Sequence, residues 1–76
     1  MKVIIYTRTA CSECVKAKNF FKNNGVQYEE KSFDNNPEAM KIVQENSFTS
    51  LPIILIDGKP FSGYNEAELR KALGIK

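Results

Sequence analysis

Apolar residues along the chain follow two rhythms, one of period two and one of three to four. Residues 2–7 (Lys-Val-Ile-Ile-Tyr-Thr) are β-branched and aromatic, which predicts a first strand. After the short loop Thr9-Ala10-Cys11, residues 12–24 predict a helix. Cys14, Ala17 and Phe21 fall on one face at three- and four-residue steps, joined by Phe20, and Gly25 supplies a left-handed end. Residues 26–33 alternate enough for a second strand, with Val26, Tyr28 and Phe33 as core candidates. Asn36-Pro37-Glu38 is a helix start, with Asn as cap, Pro in the first turn and an acid near the positive end of the dipole. That helix should run to about Glu45 and present Ala39, Met40 and Val43.

The rest of the chain changes period. Ile53-Ile54-Leu55-Ile56 is an unbroken apolar run, the mark of a strand buried on both faces. Asp57-Gly58 predicts a tight turn, and residues 59–62 an edge strand containing Pro60. Asn65 and Glu68 have capping-box spacing ahead of a last helix from about Glu66 to Leu73, which Gly74 ends. The order β-α-β-α-β-β-α implies an α/β fold: a four-stranded mixed sheet with three helices, in a single domain over residues 1–76.

Composition narrows the function classes. With 42% apolar and 26% charged residues the balance is that of a soluble domain, and no apolar run approaches the ~20 residues that span a bilayer. A net charge of +2 with interleaved signs leaves no basic stripe, so neither nucleic acid nor membrane is an expected partner. The opening Met1-Lys2-Val3-Ile4-Ile5-Tyr6 is too short for a signal peptide and continues as strand, so a cytoplasmic protein is expected. Histidine is absent, which removes the commonest general base and metal ligand.

Two cysteines carry the remaining chemistry. Cys11-Ser12-Glu13-Cys14 lies where the first strand hands over to the first helix. There, unpaired N–H groups and the positive helix end point at Cys11 and favour thiolate, lowering a value of ~8.5 to anywhere in roughly 3.5–7.5. Cys14, one turn further in, should be more buried. Cys11 would attack a substrate disulfide, and Cys14 would then resolve the mixed disulfide. A structural zinc site needs four ligands, and two thiolates without histidine fall short, so the ligand count favours redox over metal chemistry. Arg8 either adds positive potential near Cys11 or is a solvated strand-end charge; Glu13 opposes it. Lys16, Lys18 and Lys22 read as a solvated helix face. Leu51-Pro52, taken alone, reads as a strand start.

With these pieces in order, the chain resembles the glutaredoxin family almost from end to end. The resemblance rests on residues 3–8 as first strand, on Cys11-Ser12-Glu13-Cys14, on Leu51-Pro52 before the buried strand, and on the Ser62-Gly63-Tyr64 turn. It implies a thioredoxin-like three-layer sandwich, a cis Pro52 facing the cysteines, and pairing of the Leu51 backbone with substrate. The glutathione-dependent branch resembles Cys-Pro-Tyr-Cys, Thr-Val-Pro and Gly-Gly followed by Asp-Asp, and this sequence departs from each. NrdH-redoxins are more similar, with Thr-Arg before a non-Pro pair, Phe-x-x-Leu-Pro like residues 48–52, and an aromatic-Ser-Gly-aromatic turn like residues 61–64. That branch usually has Trp at Phe61 and Arg-Pro at Asn65-Glu66.

The resemblance implies a thiol–disulfide oxidoreductase that reduces protein disulfides, with no bound cofactor, working as a monomer. Electrons would come from NADPH through thioredoxin reductase, with ribonucleotide reductase as recipient, or alternatively from glutathione. Asn65 and Glu66 either contact a glutathione ammonium or serve as helix cap and first-turn acid; Phe61 and Tyr64 either dock a partner or pack. Two further alternatives are a dimer sharing an iron–sulfur cluster through Cys11 and a redox-blind peptide adaptor.

Overall fold

The computed structural model describes residues 2–75 and contains the seven elements in the expected order. Strand β1 (Val3–Thr7) leads to α1 (Ser12–Asn23), and β2 (Glu29–Ser32) to α2 (Pro37–Asn46). The hairpin of β3 (Ile53–Ile56) and β4 (Lys59–Ser62) precedes α3 (Glu66–Leu73). The sheet runs β2-β1-β3-β4, with β1 parallel to β2 and the other neighbours antiparallel.

Strand alternation decides which helix packs where. Val3, Ile5, Ile54 and Ile56 point to one face and meet Ala17, Phe20 and Phe21 of α1 and Leu69 of α3. Tyr6 and Ile53 point to the other and meet Ala39 of α2, flanked by Ile4, Ile42, Val43 and Leu55. The uninterrupted isoleucine run is thereby explained: β3 is a central strand covered on both sides. Each of its buried side chains contributes about 1.5–3 kcal/mol. Asp57 (φ 50°) and Gly58 (φ 85°) both take left-handed geometry, which suits a hairpin turn and the twist of its strands. Pro60 stands on β4, an outer strand, where a missing N–H is tolerated.

The structure corrects four expectations. The second strand is Glu29–Ser32 alone, four polar residues on an outer strand, rather than residues 26–33. Val26 and Tyr28 do pack on the core, but from the preceding loop, so their apolar character marks burial rather than strand. Helix α1 stops at Asn23, one residue early, because Asn24 is its C-cap and Gly25 (φ 67°) turns the chain. Met40 is 49% exposed, because a helix through Ala39 places Ile42 and Val43 on the buried face three and four residues on, and Met40 off it. The same helix ends one residue late, at Asn46, with Ser47 (φ 54°) as a left-handed C-cap.

Candidate active site

Register brings the chemistry to one end of the sheet. Tyr6 pairs with Ile53, and Ile53 with Ser62. The loop from β1 to Cys11, the Leu51-Pro52 pair and the Gly63 turn therefore emerge together. Within the first loop Ala10 adopts φ 60°, a left-handed conformation that costs a residue with a side chain about 1–2 kcal/mol. It reverses the chain so that Cys11 stands as N-cap of α1, with Sγ accepting from the Cys14 N–H at 3.2 Å. Sulfur here occupies the place that a Ser or Asp oxygen usually takes.

Cys11 and Cys14 are joined by a disulfide, their Cα atoms 5.3 Å apart. Cys11 is partly exposed, whereas Cys14 is only 1% exposed. The asymmetry follows from the helix: its first turn faces solvent at residue 11 and turns toward the core by residue 14.

Charged neighbours are largely tied to one another. The Arg8 guanidinium donates through Nε and Nη2 to Asp34 Oδ1 at 3.0 and 2.8 Å and lies over the Phe33 ring. Glu13 is paired with Lys16 at 3.1 Å. Glu30 Oε2 accepts from the Thr7 hydroxyl at 2.7 Å and from Lys18 Nζ at 3.1 Å. The Thr7 bond foremost, then Lys18, holds the Glu30 carboxyl below its usual range. Thr7, Arg8, Cys11, Cys14, Lys18 and Glu30 all line one groove of about 790 Å³ beside the disulfide.

The second loop is laced to the hairpin. Leu51-Pro52 is a cis peptide, and Pro52 is buried. Its carbonyl accepts from the Gly63 N–H at 2.8 Å, and the Ser62 hydroxyl donates to the Ser50 carbonyl at 2.9 Å. Gly63 has φ 76°, so it is the conformation that asks for glycine; a Cβ would find ordinary contact with Ser50. Tyr64 sets its ring edge-on to Phe20, and its hydroxyl donates to Glu66 Oε1 at 3.2 Å. Partial burial, then the Glu66 carboxylate, raises the Tyr64 phenol above its ordinary value. Asn65 Oδ1 accepts from the Glu68 N–H, capping α3.

With this geometry in view, the comparison with known proteins is decisive. The glutaredoxin family model matches residues 3–61, which include both cysteines and Leu51-Pro52. The chain belongs to the glutaredoxin family. The glutaredoxin-like protein NrdH of Lactococcus lactis is 30% identical over 69 residues, covering 91% of this chain and 96% of that protein. The NrdH-redoxin of Escherichia coli superposes with a TM-score of 0.82 at 28% identity, over 93% of each chain. Glutaredoxin 1 of Francisella tularensis gives 0.72 at 30% identity, over 96% of each. This member of the glutaredoxin family is a thioredoxin-like α/β domain and a thiol–disulfide oxidoreductase, with Cys11 and Cys14 as its redox-active pair.

The residues singled out in the sequence do not form a single cavity. Arg8, Cys11 and Cys14 share the groove beside the disulfide. Gly63 and Asn65 line a smaller one of about 280 Å³ with Phe61 and Leu69. Tyr64 borders a third with Phe20 and Arg70, while Leu51 packs with the α2-side core. Sequence reasoning missed Thr7, Glu30 and Lys31 as neighbours of the cysteines. It also assigned Lys18 to the solvated face, although its side chain is only 27% exposed and ion-paired. A polar strand residue such as Glu30 gives a signal only once its register opposite β1 is known. Among the described residues no helix is long and apolar enough to cross a membrane, and no cluster of acidic, His and Cys side chains could hold a metal.

Proposed function

We propose that this chain is a dithiol electron carrier of the NrdH-redoxin type, acting as a cytoplasmic monomer on protein disulfides. The observation that carries the reading is the asymmetric pair: an accessible Cys11 at the N-terminus of α1 and a buried Cys14 one turn behind it. In the dithiol form the Cys14 N–H and the positive helix end stabilise charge on the Cys11 sulfur. The Cys11 thiolate attacks one substrate sulfur, the substrate S–S bond breaks, and one substrate thiolate leaves. Cys14, having given up its proton, then attacks Cys11; the second substrate thiolate leaves, and Cys11–Cys14 closes as the disulfide. Two electrons have passed, held in the cysteines themselves, so the step uses no bound cofactor. NADPH, through thioredoxin reductase, returns them.

In this reading Arg8 borders the entry to Cys11, and the Leu51 main chain, which precedes the β3 pairing at Ile53, meets an extended substrate segment. The Pro52–Gly63 bond fixes that segment's seat. Thioredoxin reductase rather than glutathione is favoured as donor because the polar groups after Gly63 are already engaged. Asn65 Oδ1 caps its own helix, and Glu66 Oε2 accepts from Arg70 at 2.8 Å. The solved E. coli NrdH-redoxin is itself described as having a thioredoxin-like activity profile. Ribonucleotide reductase is the proposed recipient, on the strength of the resemblance to that branch.

The test is NADPH oxidation with thioredoxin reductase, the purified protein and a model disulfide, with Cys11→Ser as control. Turnover that disappears in the variant supports the reading. Turnover with glutathione and glutathione reductase, and none with thioredoxin reductases able to reduce other NrdH-redoxins, overturns the choice of donor.

A further inference from the structure

A chemically reactive pair lies at the other end of α1 from the redox centre, about 20 Å from Cys11 along the helix axis. Of the seven asparagines, only Asn24 is followed by glycine. Gly25 has no side chain to hinder its nitrogen, so that nitrogen can attack the Asn24 side-chain amide. The fold holds the pair in a geometry that blocks this attack. Asn24 has ψ 11°, which turns the Gly25 nitrogen toward the Asn24 nitrogen, whereas ring closure needs it on the Cβ side. Asn24 Nδ2 donates to the Phe20 carbonyl at 2.8 Å, and the Gly25 N–H donates to the Lys22 carbonyl at 3.3 Å. Beyond the turn, the Val26 N–H donates to the Phe21 carbonyl at 2.8 Å, and the Val26 side chain packs on the core. Gly25 itself is exposed, so water reaches the pair.

We propose that Asn24 is a spontaneous modification site, guarded by the end of α1 and deamidated when that end opens. Opening breaks the Asn24–Phe20 and Gly25–Lys22 hydrogen bonds and lets Asn24 rotate about its Cα–C bond. The Gly25 nitrogen then gives up its proton and bonds to Asn24 Cγ. The Cγ–Nδ2 bond breaks, and the amide leaves as ammonia with that proton. Water adds to either carbonyl of the resulting succinimide and opens it to aspartate or isoaspartate; no electrons are exchanged. Both products replace a hydrogen-bond donor by a carboxylate at the negative end of the helix. Isoaspartate also lengthens the main chain ahead of Val26 and Tyr28, which pack on the core. The modification therefore loosens the helix end that guarded it.

The experiment incubates the whole protein in mildly alkaline buffer and follows position 24 by chromatographic peptide mapping and mass. The same chain unfolded in concentrated urea gives the unguarded rate. The folded protein should convert about 5- to 150-fold more slowly, the span that two ordinary hydrogen bonds supply. A helix end exposes little surface on opening, so the folded rate should stay nearly flat in urea below the unfolding transition. Val26→Ala leaves the Asn-Gly pair intact and loosens the chain just beyond it. It should raise the rate about 2- to 5-fold at urea concentrations where both chains are folded. Asn24→Asp, which imitates one product, should melt roughly 4–8 °C below wild type. No conversion at position 24 in the unfolded chain overturns the site, and equal folded and unfolded rates overturn the guard. A folded rate that climbs with urea as steeply as global unfolding, or that Val26→Ala leaves untouched, overturns opening at the helix end. An unchanged melting temperature in Asn24→Asp overturns the loosening.

Discussion

Cys11 is a helix cap as well as a redox group, and the two roles come apart on substitution. Its Sγ is the acceptor for the Cys14 N–H at 3.2 Å, one of the donors that a helix start leaves without an intrahelical partner. Cys11→Ser keeps an oxygen acceptor of the preferred kind at that place, whereas Cys11→Ala leaves the N–H without one. Loss of a cap costs about 1 kcal/mol, within a range of 0.5–2. For a domain of 76 residues, that is a drop of roughly 4–8 °C in melting temperature. The comparison must be made in reductant, against the reduced wild type, so that the lost cross-link does not enter the difference. Thermal unfolding followed by far-ultraviolet circular dichroism then gives three curves. Reduced wild type and Cys11→Ser should melt close together, and Cys11→Ala several degrees lower, although both variants are inactive. Equal melting temperatures for the two variants would falsify the assignment of Cys11 as cap, leaving its placement to the loop alone.

Three further outcomes are expected. Glu30 has a carboxyl held below its usual range, so on acidification the unfolded chain protonates first. Its stabilisation is complete above about pH 4.5, the ordinary Glu value, and is lost as pH falls through the lower folded value. Because the group is half exposed, Glu30→Gln should cost under about 1 kcal/mol near neutrality and flatten the acid limb of urea-unfolding curves; an unaltered limb contradicts the Thr7–Glu30–Lys18 network. Leu69→Ala removes the fully buried anchor of α3 and should cost about 2–5 kcal/mol, a large share of a typical domain's stability, read from urea midpoints. At Ala10, Val should destabilise by about 1–2 kcal/mol because β-branching aggravates φ 60°, whereas Gly relieves that strain but gains unfolded-state entropy and should be near neutral; a Val variant as stable as wild type would contradict the loop geometry.

Much of the architecture was legible because local signals and burial agreed. The caps at Asn36 and Asn65, the Asp57-Gly58 turn and the isoleucine run each needed only neighbours within a few residues. Where an outer strand is held by backbone pairing and polar side-chain bonds rather than by apolar burial, the apolar pattern misleads, and Glu29–Ser32 is such a strand. Met40 shows that apolar identity without helical phase does not place a side chain. At the site, the cysteines were legible because their spacing is local. The pairs around them were not: Lys18–Glu30 and Arg8–Asp34 join positions 12 and 26 apart, across a parallel crossover whose register no local signal carries. Ala10 is the sharpest omission, since alanine gives no hint of a left-handed backbone.

The Asp57-Gly58 turn lies at the opposite end of the sheet from the cysteines, one strand length away. The four residues of β3 span about 13 Å, and a side chain built at Gly58 would meet nothing within 4 Å. Asp57 tethers this end to the start of β1, accepting from the Lys2 N–H through Oδ1 and donating its own N–H to the Lys2 carbonyl, each at 2.8 Å. The molecule therefore has a handle as well as a working end. A surface linker, a fluorophore or an inserted peptide attached at that turn would hold the protein from behind and present its disulfide outward, free for electron exchange with whatever approaches.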